Sequence, residues 1–285
     1  MDQSDPKALK EMIGNARVVG LGEVTHGTQE ISLFRVQIAK FLIKEMDFST
    51  IVLEGEMPEA YEIDQYVLNG KGSPEKVLEG LGSPLYTNSN YLDLITYVHE
   101  LNHSSKKEYH ILGCDILSRE RAKLNVLSFL HEVDRDFEKK AKVAYEQDPF
   151  DDDPGAIAVV KNRRPSAQSV ERAGSVLSHM KASRRKYLET ADSANLEWAI
   201  QNARIVAQNL RYEQQGKDQP YRDKCMAENL EWILEHSSKG KKVMVFAHNA
   251  HIAKSSPHMG NWLSKKLGRG YLAFGSTFHE GQYAA

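Results

Sequence analysis

The sequence predicts an α/β protein, with a mainly parallel central sheet flanked by helices and a helical insertion between the third and fourth strands. Three observations predict it. Five short, near-continuously apolar runs recur along the chain, each ending at a glycine or a polar cluster, as suits strands covered on both faces. Helical apolar stripes separate these runs. A long segment rich in Glu, Lys, Arg, Gln and Ala, without a strand pattern, divides the third run from the fourth.

The elements follow in order. "SDPKALKEMIG", Ser4–Gly14, has a capping residue, a proline in the first turn and a closing glycine, so it predicts a short helix. Val18–Leu21 is the first strand, and Ile31, Phe34, Ile38, Phe41 and Leu42 mark one face of the helix after it. Thr50–Leu53 is the second strand. Tyr91, Leu94, Ile95, Val98 and Leu101 form a second helical stripe before the third strand, Tyr109–Leu112. One long helix is expected over Arg119–Glu146, broken at "DPFDDDPG", whose prolines and aspartates suit an exposed turn. Helices are expected over most of Ser166–Arg211, with a break at Asp218–Pro220 before Arg222–His236. Lys242–Phe246 and Tyr271–Phe274 complete the strands. Residues 1–118 and 237–285 are thus read as the sheet domain and 119–236 as a lid-like insertion expected to overhang the strand ends. No repeat of fixed period is present.

Composition narrows the function classes. A chain of 285 residues can bury a substantial core. Its net charge of −2 gives no electrostatic case for nucleic acid or anionic membrane. "KNRRPSAQSVERAGSVLSHMKASRRK" is basic but has no interleaved aromatic residue, so it reads as a solvated helix face. No apolar run approaches the roughly 20 residues of a membrane span. The acidic, polar amino terminus is not a signal peptide, and the two distant cysteines, Cys114 and Cys225, suit a reducing compartment. A soluble cytoplasmic protein is expected.

Parallel sheets hold ligands beyond the carboxyl ends of their strands, so the residues ending each run are the candidates. "GLGEVTHGTQE", Gly20–Glu30, supplies Glu23 and His26; "LEGE" supplies Glu54 and Glu56; "GCD" supplies Asp115; "FAHNAHI" supplies His248, Asn249 and His251. A carboxylate beside an imidazole fixes its tautomer and raises its basicity, which builds a general base. Singly, such residues more often cap helices or meet solvent, and Glu30 reads as a first-turn acid. Convergence at one edge is what makes an active site of them. There is no G-x-S-x-G elbow, and Cys114 reads as a small buried apolar residue. "HELNH", His99–His103, is formally a zinc signature, but its helix ends within two residues and its histidines flank the apolar stripe. Glu23, His26, Glu54, His248 and His251 are also good ligands for a borderline divalent cation, and composition alone does not separate a metal site from an acid–base site.

"GLGEVTHGTQE", "LEGE", "YRDKCMAENLEWI" and "FAHNAHIAK", in this order, resemble the erythromycin esterase family from about Arg17 to Gly275, the first and last motifs being the specific ones. The resemblance implies hydrolysis of the macrolactone ester of erythromycin-type macrolides, hence antibiotic inactivation, by an activated water. It implies no nucleophilic serine, no obligatory metal and no other cofactor. By motif position, His26 is the general base and Glu23 its partner; Arg35 matches the site arginine, Glu54 the strand-two glutamate, and His248 and His251 the histidine pair. Asp115, Asn249 and Glu56 are expected to contact substrate. From spacing alone Arg35 lies at the margin of its helix's stripe, where its stem would snorkel to the surface; the resemblance places it in the site instead. Arg35 or a protonated His248 or His251 would stabilise the oxyanion, and Glu54 would orient a water or an imidazole. Family members continue well beyond "GSTFHEGQYAA", so a catalytically silent or truncated small-molecule-binding protein is the alternative, alongside a metal-dependent hydrolase using the same cluster.

Overall fold

Each apolar run becomes a strand of one sheet. The computed structural model describes residues 6–81, 86, 88–146 and 164–277. Its strands are β1 (Val18–Glu23), β2 (Phe48–Glu56), β3 (His110–Asp115), β4 (Lys242–His248) and β5 (Tyr271–Phe274). They lie in the order β3-β2-β4-β1-β5, with every neighbouring pair parallel. The first four strands run past their apolar cores, so Glu23, Glu54, Glu56, Asp115 and His248 are themselves strand residues. From β1 the chain crosses to β2 on one side, and from β4 it crosses to β5 on the other. The β4–β1 boundary is therefore a switch point, where open parallel sheets place ligands.

Helices α1 (Pro6–Ile13), α2 (Gln29–Met46), α3 (Met57–Asn69), α4 (Pro74–Glu79) and α5 (Ser89–Ser104) fill the first crossovers. Val19, Leu21, Ile51, Leu53, Met244 and Phe246 alternate along their strands and share one core with α2, α3 and α5. The buried face of α2 differs from the predicted stripe. It comprises Ile31, Ser32, Arg35, Val36, Ala39, Leu42 and Ile43, whereas Phe34, Ile38 and Phe41 lie at its margin. Two polar residues point inward because each finds a partner there: Asn90 Nδ2 donates to Ser32 Oγ, and Arg35 meets Glu23. An apolar-only stripe passes over such residues.

The chain forms two compact units, one reaching Asp115 and resuming at Asp223, the other Ile116–Arg222. The second unit contains α6 (Glu120–Val133), α7 (Arg135–Glu146), α8 (Ala167–Ala182), α9 (Arg184–Tyr187) and α10 (Ser193–Gln214). The single helix predicted over 119–146 is thus two. Asp134 interrupts it, with φ −157° and ψ 73°, and its carboxylate accepts from the Phe137 backbone N–H at the start of α7 and from Lys186 and Tyr187. The predicted turn "DPFDDDPG" lies outside the described residues. In α8 the basic stretch turns Val170, Ala173, Val176 and Met180 inward and leaves Glu171 and Lys181 exposed, as a solvated face should.

The predicted break at Asp218–Pro220 lies earlier, at Gly216 and Lys217, both with positive φ. Gln219 and Pro220 already open the next helix, where proline fits. That helix, α11 (Gln219–His236), precedes β4, and α12 (Asn249–Ile252) and α13 (Met259–Leu267) follow it. From Asp223 onward α11 belongs with the sheet, not with the insertion: Asn229 Nδ2 donates to Cys114 O of β3 at 2.9 Å. No described helix is long and apolar enough to cross a membrane.

Candidate active site

The opening motif acquires its shape from its glycines. A Cβ on Gly22 would stand 2.2 Å from Asn249 Oδ1 and 2.7 Å from Ile252 Cδ1, so glycine leaves room for the α12 side chains to lie against β1. Glu23 then sits beside His248 in the parallel register. Gly27, with φ 81°, turns the chain from His26 into α2, a conformation that side chains with a Cβ seldom adopt.

His26 Nδ1 donates to Glu23 Oε1 at 2.9 Å, since a carboxylate only accepts. Its Nε2 has no hydrogen-bond partner among the described residues and is the nitrogen left to act as a base. Glu23 is 4% exposed, while the His26 side chain keeps 38% of its surface in solvent. Behind Glu23, Arg35 Nη2 lies 3.0 Å from Oε2 and also donates to Tyr91 Oη. Arg35 is 1% exposed, and its guanidinium lies 5.0 Å from the Phe246 ring centroid. It does not snorkel. Its charge compensates the buried carboxylate. The hydrogen bond to Glu23 raises the His26 pKa above its ordinary 6.5, against desolvation, and the charges of Glu23 and Glu54 add to the rise. Burial pushes the Tyr91 hydroxyl up to about 12, so it stays protonated beside Arg35.

A second chain of contacts runs through His251. Its Nδ1 lies 2.9 Å from Asp223 Oδ1 and its Nε2 3.1 Å from Glu54 Oε1. Both nitrogens therefore carry protons, and the ring is an imidazolium. Burial alone would lower its pKa, but the hydrogen bonds to Asp223 and Glu54 raise it to about 9. Glu54 Oε2 accepts the His248 backbone N–H at 2.7 Å. His248 Nδ1 accepts from the Ala250 N–H and its Nε2–H donates to Val24 O at 3.0 Å, so this ring is the neutral Nε2–H tautomer. The His26 and His248 rings stand 5.3 Å apart. Next to Glu54, the register of β2 against β3 shifts between Leu53 and Glu56, an irregularity of the kind that re-aims side chains at strand ends.

The structure thus brings Glu23, His26, Arg35, Glu54, His248 and His251 together at the β2–β4–β1 edge. Asp115 and Glu56 pair in register with each other on the β3 side. Asn249 is a backbone clamp: its Nδ2 donates to Ser276 O and its Oδ1 accepts the Ser276 N–H. Tyr91 and Asp223 are the participants that the sequence reading did not assign. Tyr91 was visible only as a member of the α5 stripe. Asp223 stands in "YRDKCMAENLEWI" without a neighbouring histidine to mark it. "HELNH" lies at the other end of α5, which leads to the amino end of β3. There His99 stacks on Tyr66 and donates to its carbonyl, and His103 donates to His99 O. The donor set at the main site suits acid–base work better than metal binding. His251 has no lone pair to offer and His248 has both nitrogens engaged. Among the described residues no group of three or more His, Cys, Asp or Glu is placed to hold an ion.

Fold and site together define a parallel α/β protein whose strand ends assemble a carboxylate-backed imidazole. A model of the erythromycin esterase family matches residues 43–285, and the chain belongs to that family; membership supports a hydrolase. Erythromycin esterase type II of Escherichia coli is 25% identical over 310 aligned positions, spanning 99% of this chain and 73% of that protein. The putative hydrolase YbfO of Bacillus subtilis is 22% identical, spanning 97% and 68%. Among solved structures, a Bacillus cereus protein superposes with a TM-score of 0.81 at 29% identity, covering 97% of this chain and 69% of that one. An erythromycin esterase mutant in its open conformation shares the fold at a TM-score of 0.71 and 19% identity, covering 93% and 71%. The family match begins after Glu23, His26 and Arg35, and the alignment to the type II esterase takes them in through its near-complete coverage.

Proposed function

We propose that this protein opens a macrolactone or a related cyclic ester with a water activated by His26, and so inactivates macrolides. The observation that carries this reading is a half-exposed imidazole whose Nδ1 is fixed by a buried, arginine-backed carboxylate. Nε2 takes a proton from water as the oxygen attacks the ester carbonyl, and Glu23 stabilises the resulting imidazolium. The tetrahedral oxyanion then collapses, the C–O bond of the ring breaks, and the same proton passes to the departing alkoxide. Arg35 and His251 are committed to carboxylates, so His248 is the better oxyanion donor, its Nε2–H exchanging Val24 O for the substrate oxygen. The relationship to an esterase and to a putative hydrolase supports the same chemistry.

The test incubates the protein with a panel of macrolides and follows ring-opened products, one water heavier, by mass spectrometry. His26→Ala should lower the rate by roughly 10²–10⁴-fold, the usual contribution of a positioned base, with little change in melting temperature. His99→Ala should leave turnover intact. Full activity in His26→Ala would overturn the assignment.

A further inference from the structure

The chain of contacts through His251 does more than fill space. Asp223 comes from α11, His251 from α12, Glu54 from β2 and His248 from the end of β4. All but the His248 side chain are buried, with Asp223 3%, His251 8% and Glu54 8% exposed. Asp223 Oδ1 also accepts the Met259 N–H at 2.7 Å, at the first turn of α13. One carboxylate therefore holds the short helix after β4 and the start of the next.

We propose that Asp223 is a positioning residue for the site: it keeps His251 a doubly donating cation, which locks Glu54, which in turn holds the His248 backbone beside His26. This deepens the hydrolase reading above and rests on it. A neutral imidazole has one N–H, and so can serve only one of the two carboxylates that face it, Glu54 from β2 and Asp223 from α11. Loss of the proton therefore releases either Glu54, whose Oε2 anchors the His248 backbone, or Asp223, which ties His251 to α11 and to the start of α13; either loss loosens the arrangement. His251 is accordingly neither a general base nor an oxyanion donor at neutral pH. Its function is to align other groups. The consequence is an alkaline limit on activity set by a residue that does not touch substrate.

Asp223→Asn tests this, because the amide oxygen can still accept one hydrogen bond while the charge is gone. ¹⁵N spectra of histidine-labelled protein at pH 7.5 should show both His251 ring nitrogens protonated in the wild type. In Asp223→Asn the ring should titrate at lower pH, and kcat should fall roughly 10–10²-fold, as for a displaced catalytic group, with KM little changed. The alkaline limb of the rate profile should move to lower pH by the same amount as the His251 titration, and Asp223→Glu should restore part of both. A wild-type His251 with one bare ring nitrogen at pH 7.5 overturns the proposal even if the variant does not fold. So does a folded Asp223→Asn whose His251 titration or alkaline limb stays in place. If the wild type hydrolyses no ester, the hydrolase reading fails, while the spectra still decide whether Asp223 holds the cation.

Discussion

Glu23 accepts from His26 on one oxygen and meets Arg35 on the other, so changing it acts on two partners. Glu23→Gln keeps an acceptor for His26 Nδ1–H but removes the charge that favours the imidazolium. A general base works in its neutral form, so the raised His26 pKa places the acid limb of kcat/KM above 6.5 in the wild type. In Glu23→Gln that limb should move to lower pH, and the plateau should fall by less than in His26→Ala. A pH–rate profile checks both, and an unmoved limb would show that His26 is not the titrating base. Arg35 makes the complementary case. Arg35→Met would leave the Glu23 carboxylate, 4% exposed, without its cation. Stability should drop by about 3–5 kcal/mol, as for other broken buried pairs, read from urea unfolding.

At the level of elements, the seating of α12 on β1 is the critical contact. Gly22→Ala puts a methyl within 2.2 Å of Asn249 Oδ1, an atom already held by the Ser276 N–H. Either the Asn249 side chain gives up its bond to Ser276 or α12 shifts and carries His251 with it, at a cost of about 1–3 kcal/mol for overpacking. Activity should fall along with melting temperature. A wild-type melting temperature and rate in Gly22→Ala would mean that the Asn249 and Ile252 side chains leave room for a methyl on β1. Gly174 provides the opposite case. It lies within α8, where an added Cβ meets nothing within 4 Å. Gly174→Ala should stabilise by roughly 0.5–1 kcal/mol through helix propensity alone, measurable as a higher urea midpoint with unchanged hydrolysis.

For the whole molecule, the buried imidazolium couples stability to pH. His251 is raised to about 9 in the fold from an unfolded value near 6.5. Its contribution, on the order of 3 kcal/mol, is complete below the unfolded pKa and is lost as pH rises through about 9. Melting temperature should therefore decline between about pH 6.5 and 9 in the wild type. In His251→Gln that decline should flatten, although the variant is less stable throughout because two buried carboxylates have lost their cation. A flat wild-type profile over this window would show that His251 is not charged in the fold.

The sequence by itself determined the sheet and the edge on which the candidate site residues lie. Continuous apolar runs such as Val18–Leu21 and the Val243–Phe246 part of the fourth are buried on both faces, so their period and length declare them. The polar residues that end them had to lie at the carboxyl edge of a parallel sheet. Pairs close in sequence were legible for the same reason: His26 and Glu23 are three residues apart and need only a local turn to meet. Tertiary structure alone decided which distant groups become partners. Arg35 reads from its helix as a marginal residue, and it is buried because Glu23, from another element, compensates its charge. His251 reads as one of a histidine pair that could stabilise an oxyanion, and it is a fixed cation because Asp223, 28 positions earlier, and Glu54 meet its two nitrogens. Apolar burial is written into local periodicity, because every apolar side chain is driven inward on its own account. A buried charge is tolerated only where the fold supplies its counterpart, and that counterpart has no fixed distance along the chain.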